Sequence, residues 1–225
     1  MSPGGIVRRA KEVGLDIIAV TDHNMTENSL AVHKLGQKAG IDVLFGMELQ
    51  TEEEVHVLAI FDDFEVALTF QAEIYNLLPA VANDPDFFGD QVVVDASDEI
   101  VRFEERLLLN SARISISAAT SQIKARGGIV IPSHIDSPTF SILSQLGYVP
   151  DDIPFDALEV RHPDRIEAIR PMVANAALPF VTFSDAHYIK DIGRRRICLN
   201  VDAPECGAIA QALKALTDDS HLCYQ

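Results

Sequence analysis

Four histidines and a set of carboxylates are the residues of this chain best suited to chemistry: Asp22 with His23, Glu48, His56, His134 with Asp136, Glu159, and Asp185 with His187. Each lies in or at the end of a short apolar run. DIIAVTDHN ends on Asp22 and His23, IDVLFGMELQT carries Glu48, VHVLAIF opens with His56, GIVIPSH ends on His134, FDALEV carries Glu159, and PFVTFSDAH ends on Asp185 and His187. If those runs are strands of an α/β domain, the polar ends converge on one face, where sites of such domains lie. Imidazoles and carboxylates with no cysteine among them suit zinc, manganese or iron and not a structural thiolate site.

Taken singly, each residue also has a plain structural role open to it. His23 and Asp22 could cap a helix starting near Asn24, and Asp22 could stand behind the ligands or face substrate. Glu48 sits in a strongly apolar strand, where an unpaired carboxylate is costly, so a buried ion pair or a metal must satisfy it. Its two oxygens could bridge two ions. His56 could be an ordinary edge-strand histidine, but a tight turn would set it directly opposite Glu48. His134 could be a loop residue and Asp136 a helix cap. Asp185 and His187, two apart, share one side of an extended chain and can present oxygen and nitrogen to neighbouring ions. Glu159 reads as a buried carboxylate that orients another side chain. His162, between Arg161 and Pro163, is a weak candidate for substrate contact, and His33 and His221 read as surface residues. Ligation is the preferred reading for His23, Glu48, His56, His134, Asp185 and His187.

The elements that must hold these groups alternate along the chain. Ser2 and Pro3 signal a helix start, with Ile6, Val7, Ala10 and Val13 at helical spacing and Gly14 as the stop. Further helices are expected over about 26–39, 64–78, 99–126 with a break near Asn110, 139–146, 164–175 and 204–216. RICLNV is a further strand, and a hairpin joins the Glu48 and His56 strands. This rhythm predicts an α/β domain with mainly parallel strands, a barrel or an open sheet. Residues 1–216 are expected as one domain, with an inserted flap at about 79–98 and a frayed tail over 217–225.

The chain has 225 residues, 18 basic against 34 acidic, a formal charge of −16 and 48% hydrophobic residues. Its apolar stretches, such as Ala176 to Phe183 with only Thr182 polar, are far short of the roughly 18 residues a membrane span needs, so a cytoplasmic protein without a membrane partner is expected. Cys198, Cys206 and Cys223 show no CxxC spacing and suit a reducing compartment. GxGxxG, GxxxxGK[ST] and GxSxG are all missing, which removes the common nucleotide-fold and serine-hydrolase readings. The acidic excess disfavours long duplex nucleic acid as a partner.

As a set, TDHN (Thr21 to Asn24), GMELQT (Gly46 to Thr51) with His56 beyond it, PSHID (Pro132 to Asp136) and FSDAH (Phe183 to His187) resemble the PHP, or polymerase and histidinol phosphatase, superfamily over nearly the whole chain. The resemblance implies a distorted (β/α)7 barrel, TIM-like, with two or three divalent ions of zinc, manganese or iron. It implies that Glu48 bridges two ions, that His56 and His134 complete one, that Asp185 belongs to the other, and that His23 and His187 share a third. The implied activity is hydrolysis of a small phosphorylated metabolite or short nucleotide by a metal-activated hydroxide. Asp22, His23, Glu48, Asp185 and His187 form the expected catalytic set. Arg161, His162, Arg194 and Arg195 are the expected substrate contacts, with Arg196 beside them, although such a basic run could equally be a solvated face.

Family members open with an HxH motif on a first strand, followed by a further ligand loop, whereas this chain starts at the helix that would come next. Met1 therefore reads as an internal methionine of a longer ancestor, from a start codon assigned too far downstream, ahead of a cloned fragment or a degenerate member. Fewer ions are expected without those histidines, and a gap at the missing strand would invite a homo-oligomer. A noncatalytic PHP domain with partial metal binding and an amidohydrolase-like C–N hydrolase are the alternative readings.

Overall fold

In the computed structural model, which describes residues 1–216 and 219–224, helix α1 (Pro3–Glu12) begins where Ser2 Oγ accepts the Gly5 amide at 3.2 Å and Pro3 has no amide to leave unpaired. Strand β1 (Ile17–Val20) follows, then α2 (Glu27–Ala39), which ends on Gly40 in the left-handed conformation. β2 (Asp42–Gln50) and β3 (His56–Phe61) form the expected hairpin, and α3 (Phe64–Leu77) starts where Asp63 accepts the Val66 amide. Residues 79–98, expected as a flap, hold α4 (Pro85–Phe88) and β4 (Val92–Val94).

Next come β5 (Ile100–Phe103), α5 (Ile116–Ala125), β6 (Ile129–Pro132), α6 (Ile142–Leu146) and β7 (Leu158–Glu159). The last elements are α7 (Ile166–Ile169), β8 (Phe180–Val181), β9 (Arg195–Ile197), α8 (Cys206–Lys214) and β10 (Leu222–Tyr224).

The central sheet runs β1-β2-β3-β6. β1 and β2 are parallel, while β2 with β3 and β3 with β6 are antiparallel, so the expectation of mainly parallel strands gives way to a mixed sheet. Backbone bonds from Asp156 to Val130 at 2.9 Å and from Ile135 to the Glu159 carbonyl at 2.8 Å continue it toward β7, which pairs in parallel with β8. Alternation sorts the side chains of β2 and β3. Phe45, Met47, Leu49, Val57, Ala59 and Phe61 pack in the core with α3 and α5, while Leu44, Leu58 and Ile60 face the second apolar cluster, which α8 closes with Cys206 and Leu213. Glu48, Gln50 and His56 share the parity of that second face, so they stand at the open end of its apolar layer.

Four expectations are corrected. The turn spans five residues, closed by Thr51 and Val55, so Gln50 and not Glu48 lies opposite His56, and Glu48 pairs with Leu58. The expected helix over 99–126 is a strand, a loop and the shorter α5. β-branched Ile100 and Val101 find a strand partner in β4, and this pairing overrides their helical spacing. The expected helix over 164–175 is broken into short 3₁₀ and α turns by Pro163 and Pro171. Residues 217, 218 and 225 of the expected tail lie outside the described residues, but β10 within it pairs antiparallel with β9 and His221 is buried, so residues 221–224 are not frayed.

Gly46 lets β2 lie close to its neighbours: a Cβ there would meet the Ala59 carbonyl oxygen at 2.8 Å and Thr21 Cγ2 at 3.0 Å. Because one obstacle is strand backbone, Gly46→Ala should destabilise the protein by about 1–3 kcal/mol, read as a lower urea midpoint. An unchanged midpoint would show that the strands can part without cost.

Candidate metal centre

Where β1 runs out, the chain keeps pairing with β2: the Glu48 amide donates to the Asp22 carbonyl at 3.0 Å and the Asn24 amide to the Glu48 carbonyl at 3.0 Å. Asn24 holds this crossing. Buried and left-handed (φ 51), it donates from Nδ2 to the carbonyls of Leu108 at 2.7 Å and Asn110 at 3.0 Å, and accepts the Gln50 amide at 3.1 Å. The result sets His23 beside Glu48.

Three imidazoles surround the Glu48 carboxylate, which is 8% exposed. His23 Nδ1 and His56 Nδ1 stand 3.3 and 3.4 Å from Oε2, and His134 Nε2 stands 3.6 Å from Oε1. Ligand atoms of His23, Glu48 and His56 lie within 4.8 Å of one another. Burial pushes the Glu48 carboxyl up, but interaction with His56 and the charges of His56, His23 and His134 outweigh it and hold the group at about 2. Burial lowers His23 and His134 despite the attraction of Glu48, which favours the neutral imidazoles that metals require.

The donor set fits a divalent cation. Nδ1 of His23, of His56 and of His134 is buried without a hydrogen-bond partner. Gln50 Oε1 lies 3.2 Å from His56 Nε2 and Gln50 Nε2 donates to Ser111 Oγ at 2.9 Å, so the amide oxygen is the acceptor and the His56 proton sits on Nε2. That tautomer turns the bare Nδ1 lone pair toward Glu48, two electron-rich atoms facing one another. A cation between them removes the conflict. His56 is further fixed by stacking on Phe140, 5.0 Å between centroids.

The remaining expected residues divide. Asp185 and His187 line the same pocket of about 130 Å³ with His23, Glu48, His56, His134 and Arg161. Asp185 is left-handed (φ 45) and its Oδ2 accepts a hydrogen bond from Arg161, while His187 is largely exposed with its ring 6.4 Å from that of His23. A wider cleft of about 390 Å³ adjoins, lined by Arg161, His162, Ser184, Asp185, Arg194 and Arg195 among others. Arg195 spends its guanidinium on the carbonyls of Phe183 at 2.8 Å and Ser184 at 3.3 Å, so it builds the wall. Arg194 pairs with Asp191, and Arg196 reaches away to the Val13 carbonyl at the end of α1.

Asp22 does not join the cluster: its carboxylate accepts from Asn28 at 2.8 Å, and burial pushes it up against that bond. Asp136 accepts the amides of Arg161 and His162 and shapes that loop. His33 is partly buried, with Nδ1 2.8 Å from the Val43 carbonyl, and His221 is buried with Nε2 2.6 Å from the Phe180 carbonyl, so neither is a plain surface residue. Asn24 and Gln50 were overlooked. Both stand inside the TDHN and GMELQT segments, beside the histidines and carboxylate they hold.

Glu159, 2% exposed, lies behind His134: Oε2 accepts the His134 amide at 3.0 Å and Oε1 has no partner. Burial pushes its carboxyl up to about 8, with Asp185 and Glu48 adding to the rise against the His134 amide. A folded value above the ordinary 4.5 means stability that is full below 4.5 and lost as pH rises through 8. His23 and His134 act at and below their ordinary 6.5, in the opposite sense, so above it they no longer mask the loss from Glu159. In chelator-treated protein, unfolding free energy should fall between about pH 6.5 and 8.5, and Glu159→Gln should flatten that slope. Parallel slopes would contradict the assignment.

Comparison with known proteins agrees with this geometry. The PHP domain family matches residues 1–126, more than half of the chain. The uncharacterized protein MJ1587 of Methanocaldococcus jannaschii is 32% identical over 68 residues, 30% of this chain and 40% of that protein. The fold is similar to that of the lesion-specific endonuclease PfuEndoQ from Pyrococcus furiosus, with TM-score 0.66, 17% identity, and coverage of 96% of this chain and 52% of that one. A structure of endonuclease Q with a 27-mer duplex substrate carrying an abasic lesion gives 0.64, 17%, 95% and 51%. A protein assigned as a metal-dependent phosphoesterase from Bifidobacterium adolescentis gives 0.56, 18%, 83% and 82%. At these identities the likeness is one of fold, and the chain spans about half the length of the endonucleases. The family match, together with the His and Glu cluster at the ends of β1, β2 and β3, places this chain in the PHP domain family.

Proposed function

We propose that the chain is a metal-dependent phosphoester hydrolase. The observation that carries the reading is the Glu48 carboxylate enclosed by His23, His56 and His134, with the bare Nδ1 atoms of His23 and His56 turned toward it. Those four residues, with Asp185 and His187 on the open side, would hold divalent ions, in the number and kind their donors allow. A bound divalent ion supplies Lewis acidity that offsets phosphoryl charge and acidifies water.

The chain's own groups supply the rest. Arg161 stands between the small pocket and the wider cleft, where its guanidinium can pass from Asp185 to a phosphoryl oxygen. His187 Nδ1 lies 3.1 Å from the Asp185 carbonyl, so the proton sits there and the exposed Nε2 lone pair is left for an ion. The same reading treats the strands from β1 through β8 as part of a PHP-type barrel.

The adjoining cleft is large enough for a phosphate and a small leaving group, and the charge of −16 favours a small substrate. The likeness to the endonucleases, one of them bound to a 27-mer duplex, speaks against excluding duplex DNA, and lesion DNA is the second reading. With manganese or zinc added, bis-nitrophenyl or nitrophenyl phosphate should turn over. Glu48→Gln should lower kcat at least ~100-fold, and Arg161→Ala should raise KM about 10-fold, since it removes a charge-assisted contact. A duplex with an abasic site, run in parallel, separates the substrate readings. Bound metal with no phosphoester turnover, or turnover of amides alone, would overturn the proposal.

A further inference from the structure

Two of the three cysteines, distant in sequence, meet where the chain after β9 runs beside β10. Cys198 follows β9 and donates its amide to the His221 carbonyl at 2.9 Å, and Cys223 lies two residues beyond His221 on β10. Strand alternation therefore puts both thiols on one face, and their sulfurs lie 3.3 Å apart. Cys198 is exposed and Cys223 half-buried, so an oxidant can reach them, whereas Cys206 is buried at the start of α8. Burial, with Asp62 nearby, pushes the Cys206 thiol up to about 12.

We propose that Cys198 and Cys223 form a disulfide that clasps β10 onto β9, with glutathione disulfide as the oxidant. One thiolate attacks the oxidant and releases a glutathione thiolate. The second then attacks the mixed disulfide, forming the Sγ–Sγ bond and releasing the other, so two protein thiols are oxidised as one glutathione disulfide is reduced. The sulfurs must close by roughly 1.3 Å to reach bonding distance. β10 is three residues long in a two-stranded sheet with β9, so a small shift of that strand suffices. The shared hydrogen bond with Cys223 raises Cys198 and slows the first attack, but the second step is intramolecular and traps the product. The clasp joins β10 to the strand that begins with Arg195, whose guanidinium braces the cleft wall.

The full chain, reduced and then incubated with glutathione disulfide, tests this by intact mass, peptide mapping and melting temperature. The proposal predicts a monomer about 2 Da lighter than the reduced chain, a peptide linking Cys198 to Cys223, an unmodified Cys206, and a rise of about 5 °C in Tm from closing the loop. Cys198→Ser and Cys223→Ser should each lose that rise and stop at a glutathione adduct on the remaining thiol. Wild-type protein that stops at glutathione adducts, forms disulfide-linked dimers, or gains the link with no rise in Tm would overturn it.

Discussion

Everything near the site answers to one constraint: a carboxylate at position 48 is buried at the end of an apolar layer and must not stand there alone. Burying an unpaired carboxylate costs several kcal/mol even after the protein relaxes, on the order of the whole stability of many domains. Glu48 has His23 and His56 on one oxygen and His134 on the other. Protonated imidazoles would satisfy it, yet burial works against protonating His23 and His134. Neutral imidazoles leave bare nitrogens facing a carboxylate. A divalent cation reconciles the two demands, because it pairs with the carboxylate and accepts the same lone pairs.

Much of the surrounding structure follows from holding that arrangement. Gly46 lets β2 lie close to β3 and the end of β1, Asn24 ties the chain after β1 to the loop at Leu108, and Gln50 sets the His56 tautomer. His134 and Asp185 adopt positive φ, a conformation that costs of order 1–3 kcal/mol and persists only where neighbours enforce it. Glu159 and Arg161 are those neighbours, one on the His134 amide and the other on the Asp185 carboxylate. The wider cleft then lies on the open side, where Arg161, Arg194 and Arg195 gather positive charge in an otherwise acidic molecule.

The strand and helix rhythm was largely legible in the sequence, because the β1, β2, β3 and β6 segments are continuous apolar runs and the helices before Gly14 and Gly40 carry clear stops. The gathering of His23, Glu48, His56 and His134 was legible for the same reason, since each sits in or beside one of those runs. What could not be read was register and partner choice. Whether Gln50 or Glu48 faces His56 depends on the length of a turn, and residues 100–103 became a strand only because β4 was there to pair with them. Asp22 and His221 illustrate a further limit. Residue type suggested a catalytic group and a surface group, but Asn28 and the Phe180 carbonyl, neither marked in sequence, decide where those side chains point.

The central claim, that the Glu48 cluster holds a divalent cation, is tested most directly by anomalous diffraction from crystals grown with manganese or zinc. The account predicts an anomalous peak between Glu48, His23 and His56, with His134 turned toward it. Crystals that show well-ordered side chains there and anomalous signal only at other places on the protein would contradict it.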